Sequence, residues 1–93
     1  MSRNSIFGCE DVHVGLFLQV FQQAAIANHK ASEFAEHSSI RGSKALKKES
    51  GQMLKSLARQ FETKDFSLVS LCDTSREITA IETKLTALQS RQP

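Results

Sequence analysis

Ser38-Ser39-Ile40-Arg41-Gly42-Ser43 is the stretch on which the fold turns. Three serines and a glycine fall within six residues. Serine hydroxyls compete with a helix for its backbone groups, and glycine accepts positive φ without steric penalty. Helical patterning on both sides halts at this stretch, so it predicts a turn over 38–43. Ser43 is placed to cap the element that follows.

Toward the N-terminus, Phe17, Val20, Ala24, Ala27, Ala31 and Phe34 recur at alternate spacings of three and four. That rhythm marks a helix packed along one seam. The helix is expected over about 10–37, opening at Glu10 and Asp11, whose charge suits the positive end of a helix dipole. Residues 1–8, ending at Gly8, read as a loose tail before a single helical domain over 9–93. Val12, Val14, Leu16, Leu18 and Val20 also alternate as in a strand. No second strand is available to pair with it, and an isolated strand cannot satisfy its backbone.

Toward the C-terminus, Leu54, Leu57, Phe61, Lys64, Leu68 and Leu71 continue the three-four rhythm, and Ile78, Ile81, Leu85 and Leu88 extend it. Gly51 is the one glycine between Lys44 and Gln92, and no proline interrupts. The reading is a second helix over about 44–72 with a continuing or separate helix over about 74–91. The expected break is near Asp73, because Thr74-Ser75-Arg76-Glu77 has the form of a capping box. The fold class is therefore all-α: an antiparallel helical hairpin with a long second helix, or a three-helix bundle if the chain breaks near Asp73.

Folding the halves about a point between Ile40 and Arg41 opposes residues whose numbers sum to about 81. Ala27 then meets Leu54, Ala24 meets Leu57, Val20 meets Phe61 and His13 meets Leu68, with small residues set against large ones as close packing requires. Phe17 meets Lys64, whose stem can cross the ring while its ammonium stays in water. Cys9 falls opposite Cys72, either as a disulfide or, in a reducing compartment, as two small buried hydrophobes. Residues beyond Cys72 have nothing opposite them. The stripe Ile78, Ile81, Leu85 and Leu88 must fold back as a third helix or dock on another chain. Docking makes these four the expected partner-binding residues, in a homo- or hetero-oligomer joined through helices.

Composition narrows the function classes. The chain has 93 residues, six Phe, no Trp or Tyr, and a single Pro at position 93. A chain this short supports one small domain that gains from oligomerisation or a partner. Its net charge of +2 divides into −2 over 1–40, +5 over 41–59 and −1 over 60–93. The positive charge is thus local: Arg41, Lys44, Lys47, Lys48, Lys55 and Arg59 form a basic stripe. On a helical wheel Lys44, Lys48, Lys55 and Arg59 fall within about 60° of one another. Such a stripe suits a solvated face, an acidic protein or a phosphate backbone. No aromatic residue is interleaved for base stacking, so nucleic-acid binding stands second to protein binding.

No segment reaches the roughly 18 apolar residues of a membrane span. Acids at Glu10 and Asp11 also stand where a signal peptide needs positive charge. The expectation is a cytoplasmic protein as synthesised, leaving the cell only by a leaderless route. His29, Glu33 and His37 share a helix face, as do Cys9 and His13, but neither set supplies four ligands of a metal site. No nucleophile–base order, phosphate loop or paired-acid site is present. The expected function is non-catalytic, a helical adaptor or chaperone-like protein with no cofactor and no metal.

In length and architecture this pattern resembles the WXG100 (ESAT-6-like) group of small helical-hairpin proteins. Ile40-Arg41-Gly42 stands where that group carries Trp-x-Gly, matching the Gly and departing at the Trp. Leu85-Thr86-Ala87-Leu88-Gln89 stands where relatives end in an aromatic-x-x-x-acid export signal, and it lacks both the aromatic and the acid. The resemblance implies export by type VII secretion, or escort of a larger secreted protein.

Overall fold

The computed structural model describes the backbone of residues 2–91 and the side chains of residues 14–91. Three helices account for it: α1 (Ser2–His37), α2 (Ser43–Glu62) and α3 (Leu68–Gln89). No strand occurs among the described residues. Each helix packs on both others, giving a three-helix bundle. α1 opens at Ser2, so residues 2–8 continue the helix rather than forming a loose tail.

The first turn lies where the serines and glycine place it, over residues 38–42. The Ser38 hydroxyl accepts from the Ile40 amide at 3.1 Å. The Ser43 amide donates to the Ile40 carbonyl at 3.2 Å. Gly42 takes φ 97° and is itself the N-cap of α2, its carbonyl accepting from the Leu46 amide at 3.0 Å. Ser43 is inside the helix and buried, not the cap.

The second break lies about ten residues earlier than the expected one near Asp73. α2 ends in a Schellman motif without glycine. Lys64 adopts φ 57°, its amide donates to the Phe61 carbonyl at 3.1 Å, and the Asp65 amide donates to the Gln60 carbonyl at 2.9 Å. The Thr63 hydroxyl donates back to the Arg59 carbonyl. Ser67 then caps α3, its hydroxyl accepting from the Ser70 amide at 3.3 Å. Thr74 and Ser75 therefore lie within α3, where the Thr74 hydroxyl donates to the Ser70 carbonyl.

This early break folds α3 back against α1 and α2. Ile78, Ile81 and Leu85 are buried with Phe17, Ala24, Ala27 and Ala31 of α1 and with Leu46, Met53 and Leu57 of α2. Leu88 is partly buried against the same core. Burying each such Ile or Leu contributes roughly 1.5–3 kcal/mol. The exposed Lys84–Glu49 ion pair that also joins α3 to α2, at 3.3 Å, belongs to a class worth about 0–1 kcal/mol. The apolar stripe drives the fold-back and the ion pair follows it.

The register of α1 on α2 differs from the expected one by about one turn. Phe17 stacks on Phe61 with ring centroids 5.9 Å apart, and Asn28 Nδ2 donates to Ser50 Oγ at 2.8 Å. Phe17 thus meets Phe61 rather than Lys64. A seam with spacings of three and four repeats every turn, so its rhythm fits two registers one turn apart. Ring stacking and the part-buried Asn28–Ser50 bond select between them.

Candidate docking surface at the open end of the bundle

The two turns give the bundle two unlike ends. At the closed end, Gly42, Leu46 and Glu49 lie beside Lys84, Leu88 and Arg91. At the open end, α2 hands over to α3 through Thr63–Ser67 while α1 runs past. Four phenylalanines fill this end. Phe17 lies 6.0 Å from Phe21, 5.9 Å from Phe61 and 5.1 Å from Phe66 between ring centroids, the last edge to face. Phe17 is almost wholly enclosed. Tilted and edge contacts of this kind suit the charge distribution of the rings.

The segments that meet at this end carry exposed hydrophobics. Leu16 and Leu18 flank Phe17 in α1, Phe61 lies on it, and Leu68 and Val69 follow Phe66 at the start of α3. All five are exposed, Val69 at 73% and Leu18 at 54%. Among the described residues only Ile26 joins them as an exposed large hydrophobic. A groove of about 340 Å³ between α1 and α2 is lined by Phe17, Leu18, Phe21, Ala58, Phe61 and Glu62, apolar apart from its last member. Single exposed hydrophobics are ordinary on a folded protein, and several on neighbouring segments make this end a candidate site.

The expected partner-binding residues lie elsewhere. Ile78, Ile81 and Leu85 are enclosed by the protein's own α1 and α2, and Leu88 is half-covered. The stripe is met by folding back, so it offers no free face to another chain. The numbering rule that opposes Leu68 to His13 makes it a core position, whereas it is exposed. The signal was present in Ser67-Leu68-Val69-Ser70, a helix start carrying two large apolar residues.

The basic stripe is intact and outward. Arg41, Lys44, Lys47, Lys48, Lys55 and Arg59 are all exposed. α2 buries Ser43, Leu46, Ser50, Met53 and Leu57. The Lys44–Arg59 face lies about 170° from that buried face at 100° per residue. None of the six basic residues is in an ion pair among the described residues, whose pairs are His29–Glu33, Arg76–Asp73 and Lys84–Glu49.

The remaining polar groups do not converge. His29 pairs with Glu33 at 3.1 Å, whereas His37 stands in a shallow groove between α1 and α3 with Lys30, Glu33, Glu82 and Gln89. Among the described residues no three His, Cys, Asp or Glu side chains are grouped to hold a metal ion. Cys72 is exposed rather than a buried hydrophobe. Its expected neighbour Cys9, like His13, lies outside the residues whose side chains are described. No helix among the described residues is long and apolar enough to cross a membrane. No family model, no curated protein and no solved structure matches this chain.

Proposed function

We propose that this chain is a non-catalytic helical interaction protein that docks a protein partner at the open end of its bundle. One observation carries the reading: five large hydrophobics, Leu16, Leu18, Phe61, Leu68 and Val69, are exposed on the segments that meet at the open end. Leu16, Leu18, Leu68 and Val69 lie outside the buried core, and Phe61 keeps about half of its surface in water while stacking on Phe17. Covering them gives a partner helix the apolar area that surface charge pairs cannot supply. The WXG100 resemblance would assign such a surface to export with, or escort of, a larger secreted protein.

The test is chemical cross-linking of the wild-type chain and of Leu68→Glu and Val69→Glu in native lysate. The expected result is a cross-linked partner that both variants lose while keeping wild-type helicity. Equal capture by wild type and both variants would refute the reading.

A second reading rests on the unpaired basic face of α2. Four bases from Lys44 to Arg59 run about 22 Å along one side of the helix at 1.5 Å per residue, a length over which a phosphate backbone can be followed. Titration with duplex DNA and single-stranded RNA over a salt series tests it. Affinity should fall steeply with salt and drop for Lys48→Glu with Lys55→Glu. Absence of binding at low salt removes it.

A further inference from the structure

We infer that the turn at 63–67 is a hinge on which α3 exchanges between two copies of this chain. In the exchanged form α2 and α3 straighten into one helix, and each α3 seats on the α1 and α2 of the other copy. The docking surface proposed above plays no part in it.

The buried faces of α2 and α3 share one heptad. α2 buries Ser43, Leu46, Ser50, Met53 and Leu57, and α3 buries Leu71, Ile78, Ile81 and Leu85. Ser43, Ser50, Leu57, Leu71, Ile78 and Leu85 are separated by multiples of seven residues. Leu46, Met53 and Ile81 form a second such series, three residues on. These are the a and d positions of a single helix running from Ser43 to Gln89. Helices joined by a turn have no need to keep a common phase. Here the phase passes through the turn unbroken, so a straight helix carries both buried faces on one side.

Nothing in the turn forbids straightening. Neither Gly nor Pro occurs from Gln52 to Gln92. The closed turn holds Lys64 at φ 57°, a conformation that disfavours an L side chain and that a helix relieves. Straightening also gives the first amides of α3 the carbonyl partners that a helix start lacks. It gives up the Ser67 cap, the turn bonds of Lys64 and Asp65, and the edge contact of Phe66 on Phe17. The first turn differs, because its positive φ falls on Gly42, where it costs no such strain.

The contacts of α3 survive the exchange. In the closed chain α3 runs antiparallel to α2, with Lys84 on Glu49 at 3.3 Å and Leu88 beside Gly42. A two-fold axis through the middle of the turn sets Lys84 of each straight helix on Glu49 of the other. Ile78, Ile81 and Leu85 then re-enter the same core, completed by the other copy. The two forms differ at the hinge and in the association of two chains, which is the condition for exchange. Mass action decides between them: a dilute chain closes on itself, and a concentrated one exchanges as it refolds.

The test uses the full chain, denatured and refolded over a concentration series. Chains spin-labelled at Lys30 are mixed with chains labelled at Glu82 before refolding, and pulsed electron resonance reads distances between copies. These residues line one groove between α1 and α3. An exchanged dimer therefore shows between copies the short distance that the closed chain shows within one. Sedimentation velocity of the unlabelled chain gives the dimer fraction. The expected result is a dimer that grows with refolding concentration and carries the short distance. Lys64→Gly relieves the closed form of both chains and should lower the dimerisation constant about tenfold. Asp65→Ala with Ser67→Ala strips the cap, favours a straight helix and should raise it about tenfold. Monomer at every concentration for both the wild type and the Asp65→Ala, Ser67→Ala chain overturns the inference. A dimer that lacks the short distance, or that is indifferent to the hinge substitutions, overturns it equally.

Discussion

Gly42 and Lys64 hold the two backbone positions at positive φ among the described residues, and they answer differently to substitution. At Gly42, φ 97° strains any L side chain, although an added Cβ would meet only Leu88 Cδ2 at an ordinary 3.7 Å. Gly42→Ala should therefore cost about 1–2 kcal/mol through backbone strain and not through a clash. At Lys64 a side chain already bears that strain, so Lys64→Gly should stabilise the protein by up to about 1 kcal/mol. Urea denaturation of both variants checks these opposite signs. The first turn was legible because its positive φ falls on a glycine. The second was not, because the same conformation falls on a lysine and nothing in Thr63-Lys64-Asp65 advertises it. Ser67 as N-cap was the available clue, and it competed with a better capping pattern at Thr74–Glu77.

At the scale of the element, the seam of α1 was legible almost residue by residue. Phe17, Ala24, Ala27, Ala31 and Phe34 are buried, and Val20 is half-buried. The seam of α2 was obscured. Its buried positions Ser43, Leu46, Ser50, Met53 and Leu57 keep the three-four spacing, but two are serines. A reading by hydrophobicity instead follows Leu54, Leu57 and Phe61, and so takes the register one turn away. Ser50 is there because Asn28 is opposite: its hydroxyl accepts the Asn28 amide and donates to the Lys47 carbonyl. No described buried side-chain polar atom lacks a partner. Asn28→Ala should cost about 1 kcal/mol by leaving the buried hydroxyl one bond short. The Asn28→Ala, Ser50→Ala pair should cost less than the sum of the singles, which a double-mutant cycle by urea denaturation measures.

For the whole molecule, the early break decides what is core and what is surface. A second helix running on unbroken past Cys72 leaves Ile78, Ile81 and Leu85 exposed, whereas a chain turning at Thr63–Ser67 buries them and leaves Leu68 and Val69 exposed. Ile81→Ala should therefore behave as a core truncation, costing about 2–5 kcal/mol, a large part of the stability of a small domain. Val69→Ala should shift the urea midpoint little, since its side chain is mostly in water. Comparing those midpoints separates a folded-back α3 from a free one by energetics. The all-helical class was legible because periodicity reports it. Which apolar stripe stays outside was not, because that depends on one unmarked turn.

The most direct measurement of that turn is a distance between α1 and α3. Spin labels at Lys30 and Glu82, exposed residues lining the same groove between these helices, report it by pulsed electron resonance. The fold-back predicts one narrow distribution at short distance. A continuous α2–α3 helix would carry Glu82 past the open end, about 50 Å from Lys30 at 1.5 Å per residue. A dominant population at that longer distance would contradict the three-helix bundle and the assignment of its open end as the docking surface.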